Sequence, residues 1–218
     1  MAAGSTDSLA RATRAALAAV GALEEVSGEL CRLDSAAGDG DHGLAMAAAA
    51  EGIRKRLSAD PPDDVAGLLR LAAGELAAAG GAMGAISYVL LQAVADVVDE
   101  TDYEFVAPDV PRILSVAQQA VSEFGGAQPG DKTVVDAIAA AQEAASARAL
   151  SGQPPVDCLL AAAEGARKGA EATAGMVARV GRASRLGELS RGTVDAGAKS
   201  FAIALQALAT AFEMEERS

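Results

Sequence analysis

Residues 34–44 read Asp-Ser-Ala-Ala-Gly-Asp-Gly-Asp-His-Gly-Leu, and two folds compete for them. Gly38, Gly40 and Gly43 match the Gly-x-Gly-x-x-Gly spacing of a dinucleotide-binding turn. That turn requires a preceding strand and a βαβ unit. The residues before it carry a helical period instead, with Leu9, Ala16, Val20, Leu23 and Leu30 on one stripe. Asp39 and Asp41 would also meet a pyrophosphate with like charge. The stretch therefore reads as a glycine-rich turn between helices, and the chain as all-α.

The remaining sequence agrees. Of 218 residues 51% are hydrophobic, yet only 3% are aromatic and none is Trp. Alanine makes up the difference, which favours closely packed helices over a sheet core of β-branched and aromatic residues. Periodicity and breakers predict helices over about 7–33 (capped within Ser5-Thr6-Asp7), 42–57, 64–79, 83–99, 109–124, 133–150, 155–180 and 197–215. In the third, Val65, Leu68, Leu69, Ala72 and Leu76 should face inward. Pro108-Asp109 starts the fifth. Roughly eight antiparallel helices with short connections make a single bundle spanning residues 1–218.

A net charge of −12 leaves no basic stripe for nucleic acid. Arg54-Lys55-Arg56 reads as a solvated helix face. Cys31 and Cys158 read as buried free thiols in a reducing compartment, being too few for a disulfide framework or zinc site. The N-terminal residues show no signal-peptide pattern. The most apolar segment, 86–98, is interrupted by Gln92 and Asp96 and is too short to span a bilayer. The expectation is a soluble cytoplasmic protein.

Three carboxylates close together need a counter-charge, and a hard divalent cation shared with substrate phosphates supplies it. Asp34, Asp39 and Asp41 are thus metal candidates. Ordinary turn and cap chemistry explains Asp41 well and extends to Asp34, but leaves Asp39 without a role. A calcium loop would need further ligands and a terminal Glu. His42, at a helix start beside two aspartates, is a candidate phosphate donor or a structural histidine. Residues 125–133 imitate a phosphate loop, Gly-x-x-x-x-Gly-Asp-Lys-Thr, with Asp131 spoiling the motif and a helix where a strand should precede it. Residues 181–196 are polar and glycine-punctuated, with Arg182, Arg185 and Arg191; Arg182 is the best candidate for a planar phosphate contact.

Four blocks, in order, resemble the nucleotide-binding L subunit of dihydroxyacetone kinases. They are Leu33-Asp34 with the glycine-aspartate turn to Gly43; residues 80–84, Gly-Gly-Ala-Met-Gly; residues 129–133, Pro-Gly-Asp-Lys-Thr, with Asp136-Ala137; and Gly181-Arg-Ala-Ser184 with Leu186, Gly187, Glu188, Ser190, Gly192, Asp195, Gly197 and Ala198. The resemblance implies a barrel of eight antiparallel helices. It implies two magnesium ions on Asp34, Asp39 and Asp41, which with His42 form the catalytic set, and an ADP or ATP. That nucleotide would be held by His42, Gly43, Leu44, Ala45, Ala82, Met83, Gly125, Lys132, Thr133, Val134, Arg182, Asp195, Ala196 and Gly197. The chain departs from the family pattern at Met83, where Ser is usual, at Ala196, where Pro is usual, and at Thr193, where His is frequent.

The function so implied is transfer of a phosphoryl group to dihydroxyacetone, or a similar short ketose, held on a separate K subunit. A free-standing L subunit looks like the phosphoenolpyruvate-phosphotransferase-linked form, in which an M subunit rephosphorylates bound ADP. The rival readings are a fatty-acid-kinase-like domain and a silent nucleotide-binding adaptor.

Overall fold

Helix formation follows the alanine-rich segments, with one unpredicted break. In a computed structural model describing residues 3–99, 107 and 109–217, nine α-helices form and no strand occurs among the described residues. They are α1 (Ala3–Glu25), α2 (Ser27–Ser35), α3 (His42–Ala59), α4 (Val65–Ala79), α5 (Gly81–Asp99), α6 (Asp109–Gly125), α7 (Val134–Leu150), α8 (Pro155–Ala172) and α9 (Ala196–Glu216).

The expected first helix is two, divided at Val26, whose backbone leaves helical geometry (φ −102°, ψ 10°). No proline or glycine stands there to announce the break. The expected cap Ser5-Thr6-Asp7 lies inside α1, so it does not begin the helix. Pro108 lies outside the described residues. The seventh expected helix stops at Ala172 rather than continuing to residue 180, because the chain tightens into a 3₁₀ turn, Thr173–Gly175. Residues 181–196 are not simply a loop either: Arg182–Ser190 forms 3₁₀ structure kinked at Gly187 (φ 54°).

Packing closes a ring. Along α1, α3, α4, α5, α6, α7, α8 and α9 each helix packs on the next, and α9 returns to α1; α2 lies on α3. Short connections make neighbours antiparallel. The N-termini of α3, α5, α7 and α9 therefore share one end with the turns at 36–41, 80–81 and 126–133 and the segment 173–195.

Small residues permit this closeness. A Cβ at Gly165 would lie 2.4 Å from the Ala140 carbonyl oxygen, and one at Gly169 2.7 Å from that of Asp136, so α8 sits almost backbone to backbone on α7. On α1 the buried positions are Ala15, Ala19 and Leu23, and on α4 they are Ala66, Leu68 and Ala73. The positions expected to face inward at Leu9, Ala16, Val20, Val65, Leu69, Ala72 and Leu76 are only half-buried, because the stripe of Ala15, Ala19, Ala66 and Ala73 takes the closest contact. Leu30, Ile53, Leu68 and Ile138 are fully enclosed, each worth about 1.5–3 kcal/mol relative to exposure.

Three smaller expectations change. Cys158 is buried but Cys31 only half so. The basic run is paired rather than simply solvated: Arg54 meets Glu24, while Arg56 approaches Asp60 and Glu75. Finally, α5 is longer than the apolar segment first read and is long and apolar enough, by length and composition, to cross a membrane. It packs between α4 and α6 as one member of the ring.

Candidate active site at the mouth of the helix ring

Asp34 lies in the last turn of α2, Asp39 in the turn that follows, and Asp41 immediately precedes α3. One carboxylate oxygen from each falls within 4.8 Å of the others, with Asp34 half-buried and the other two exposed. Two glycines shape this turn. Gly40, at φ 78°, adopts a backbone that other residues avoid and donates its amide to Asp34 Oδ2 at 2.8 Å. Gly38 lies where a Cβ would stand 2.3 Å from Asp34 Oδ1.

The cap explanation of Asp41 fails on geometry. Its side chain makes no capping hydrogen bond to α3, so its carboxylate is available at the cluster. The neighbouring Asp39 carboxylate pushes the Asp41 carboxyl above its usual range, whereas the Arg182 guanidinium holds that of Asp39 below. One arginine against three carboxylates leaves a deficit of positive charge. The donor set, all oxygen and hard, fits magnesium.

The four helix starts at this end differ in a useful way. Thr133 and Asp136 close a capping box on α7, with Thr133 N donating to Asp136 Oδ2 at 2.7 Å, and Asp195 Oδ1 accepts from Ala198 N at 2.8 Å on α9. No side chain caps α3, and α5 follows Gly80 and opens on Gly81, both at positive φ and without side chains. The open amides of α3 and α5 are therefore those with affinity for an anion.

The structure brings Asp34, Asp39, Asp41 and Arg182 together, since Arg182 pairs directly with Asp39. With Ser35, Ala36, Ala37, Gly38, Arg185 and Leu186, Asp39 and Arg182 line a groove of about 420 Å³. Met83 meets the start of α9: a Cβ on Gly197 would lie 2.7 Å from its Sδ. Leu44 and Ala82 are exposed at the same end, as is Gly125 at the close of α6, while Ala45 and Ala196 are half-buried.

Several expected contacts turn inward instead. His42 is 6% exposed and its Nε2 lies 3.0 Å from Ser200 Oγ; burial lowers its pKa, opposed by Asp34 and the Ala196 carbonyl. It ties α3 to α9. Gly43 is a packing glycine, because a Cβ there would stand 1.8 Å from the Ser27 carbonyl oxygen. Val134 places its side chain in the core, and Thr133 Oγ1 accepts from Val135 N at 3.2 Å. Lys132 Nζ donates to the carbonyls of Thr173 (2.6 Å) and Thr193 rather than facing the groove. Burial raises the Asp195 carboxyl to about 6, against the pull of the Ala198 amide and Lys132.

The DAK2 domain family model matches residues 36–210. The chain belongs to the DAK2 family. Among curated relatives, the L-erythrulose 1-kinase of Mycolicibacterium smegmatis is 40% identical over 184 residues, which is 83% of this chain and 32% of its own length. The ADP-binding subunit DhaL of the PEP-dependent dihydroxyacetone kinase 2 of Listeria innocua is 32% identical over 182 residues, or 82% of this chain and 83% of that subunit. The crystal structure of the dihydroxyacetone kinase from C. freundii in complex with AMP-PNP and Mg2+ superposes with a TM-score of 0.72. Its sequence identity is 25%, over 92% of this chain and 34% of that one. The chain spans about a third of the length of the erythrulose kinases. The relatives are kinases or a kinase subunit by name, and the DAK2 chain shares the fold of about a third of the C. freundii dihydroxyacetone kinase.

Two residues of this DAK2 domain escaped sequence reading. Thr173 Oγ1 accepts from Asp195 N at 2.9 Å, and Ser200 receives His42. Neither position carries a sequence signal of its own, since Thr173 follows Glu171-Ala172 and Ser200 follows Lys199 in ordinary mixed helical sequence.

Proposed function

We propose that the chain binds ADP or ATP with two magnesium ions and passes a phosphoryl group to a short ketose held on a K-type partner. Dihydroxyacetone and erythrulose are the acceptors to test. The observation that carries the reading is the aspartate cluster: three carboxylates within 4.8 Å, one arginine, and an adjacent helix start with no side-chain cap. Bound magnesium supplies neutralisation of phosphate charge during transfer. Asp34, Asp39 and Asp41 would hold it, and the amides of His42, Gly43 and Leu44, with those of Gly81, Ala82 and Met83, would orient phosphate oxygens. Arg182, now on Asp39, is within reach to move onto a phosphate once a cation faces that carboxylate. The DAK2 membership and the magnesium- and AMP-PNP-bound structural neighbour support this reading.

The proposed phosphoryl supply is an M-type subunit drawing on phosphoenolpyruvate in the cytoplasm, supported by the match over 83% of the Listeria subunit. Direct use of ATP is the alternative. The test is calorimetry of ADP with and without magnesium, then ketose phosphorylation with a K subunit, supplied with ATP or with phosphoenolpyruvate and its relay. Asp39→Asn should abolish the magnesium-dependent binding while leaving the helical circular dichroism intact. Undiminished binding by that variant would refute the metal assignment, and robust turnover by the isolated chain would refute the need for a partner.

A further inference from the structure

Lys132 stands in the family-like turn yet does not face the groove. It is 4% exposed, and its ammonium donates to the carbonyl of Thr173 and to that of Thr193. Those two acceptors bracket the segment that carries Arg182. We propose that Lys132 is a positioning residue: its buried ammonium latches both ends of residues 173–193 to the 130–133 turn, and so fixes where Arg182 stands over Asp39. The functional half of this proposal rests on the phosphoryl-transfer reading above.

The backbone argues for a demand on this particular side chain. Lys132 has φ 64°, the only positive φ outside glycine among the described residues. Glycine takes that conformation freely, but it has no ammonium to give. A lysine held in an unfavourable backbone region marks a place where the surroundings over-determine the conformation. The charge is supported by Asp195 and Asp136, whose carboxylates oppose the effect of burial on the ammonium.

Most other bonds of the segment are internal to it. Gly192 N donates to Ala174 O at 2.8 Å, closing its base, and Ala178 N donates to Ser190 Oγ at 2.9 Å across its middle. Arg179 adds two further ties to the same turn near the middle of the segment: its N reaches Asp131 O at 3.2 Å and its guanidinium lies 3.7 Å from Asp131 Oδ1. Lys132 is the side chain that joins both ends of the closed segment to the start of α7. Removing its donors would leave the segment folded on itself and held to the turn at its middle by Arg179 alone, with both ends loosened and Arg182 less firmly placed.

The experiment is Lys132→Met, which keeps the stem and removes the donors, combined with Arg182→Ala in a double-mutant cycle. Hydrogen exchange should show the amides of residues 174–192 opening about tenfold faster, with α3–α5 unchanged. The dissociation constant for magnesium-ADP should rise about tenfold, and Arg182→Ala should add little in the Lys132→Met background. If the single variant fails to fold because Asp195 loses its counter-charge, Lys132→Met/Asp195→Asn removes both charges while Asn keeps the α9 cap. Unchanged exchange in a folded variant would overturn the latch, as would full additivity with Arg182→Ala. Should the wild-type chain not bind magnesium-ADP, the phosphoryl-transfer reading falls, and the exchange measurement still decides the latch.

Discussion

Replacing Gly43 by Ala should destabilise the protein and disturb the aspartate turn, although alanine is the better helix former. The added Cβ would lie 1.8 Å from the Ser27 carbonyl oxygen, 2.6 Å from its carbon and 2.9 Å from Cys31 Sγ. Two of these are backbone atoms of α2, so no side-chain rotation can relieve them. Separation of α2 from α3 is the remaining escape. Overpacking of this kind costs about 1–3 kcal/mol. The helix-propensity gain of Ala over Gly reaches about 1 kcal/mol in a helix interior and offsets part of it. A net loss of about 1–2 kcal/mol corresponds to roughly 2–8 °C in Tm for a chain of this size. Gly74→Ala supplies the control: the same substitution in the middle of α4 finds nothing within 4 Å. It should stabilise by about 0.5–1 kcal/mol. Paired thermal and urea melts decide the matter, with magnesium-ADP titration to follow the site. If Gly43→Ala melts at or above the wild-type temperature with unchanged affinity, close α2–α3 approach is not what sets this turn.

Arg182→Ala should weaken magnesium-ADP binding by about tenfold, the lower end for a charge-assisted hydrogen bond given the exposure of this side chain. Arg54→Ala, which breaks only the Glu24 pair on α1 and α3, should leave affinity unchanged, and equal losses in calorimetry would refute a role for residues 181–196 in binding. The third prediction concerns pH. The Asp195 carboxyl is raised to about 6 when folded, above its ordinary 3.8, so the folded state binds the proton more tightly. Its ionisation thus opposes folding above pH 6, and that penalty is relieved as pH falls from 6 towards 4. Asp195→Asn should remove this dependence and change the stability gap to wild type by roughly 1 kcal/mol between pH 7.5 and 5. A gap that stays constant across that range in urea melts would refute it.

Much of the fold was legible from local chemistry. Alanine-rich helical periods and the breakers at Pro61-Pro62, Gly80-Gly81 and Pro154-Pro155 placed most helices, and the glycine-aspartate turn marked the candidate metal site. Propensity, periodicity and turn chemistry act over a few residues, so one chain displays them without its partners. The four blocks by themselves resemble the L subunit of dihydroxyacetone kinases.

Tertiary packing decided the rest. The division at Val26 carries no breaker of its own; it places the Ser27 carbonyl against Gly43, a contact between helices rather than along one. Whether Asp41 caps α3 or stays available depended on its backbone angles, which nothing in the residue type dictates. His42 and Lys132 look like ligands in sequence because their charge and hydrogen-bonding capacity are visible there. Their partners, Ser200 and the carbonyls of Thr173 and Thr193, lie far along the chain and reach them only when the ring closes. The sequence alone thus determined which groups are available to do chemistry. Closure of the ring determined which of them face the groove and which hold it in place, because burial and long-range hydrogen bonding exist only between elements already brought together.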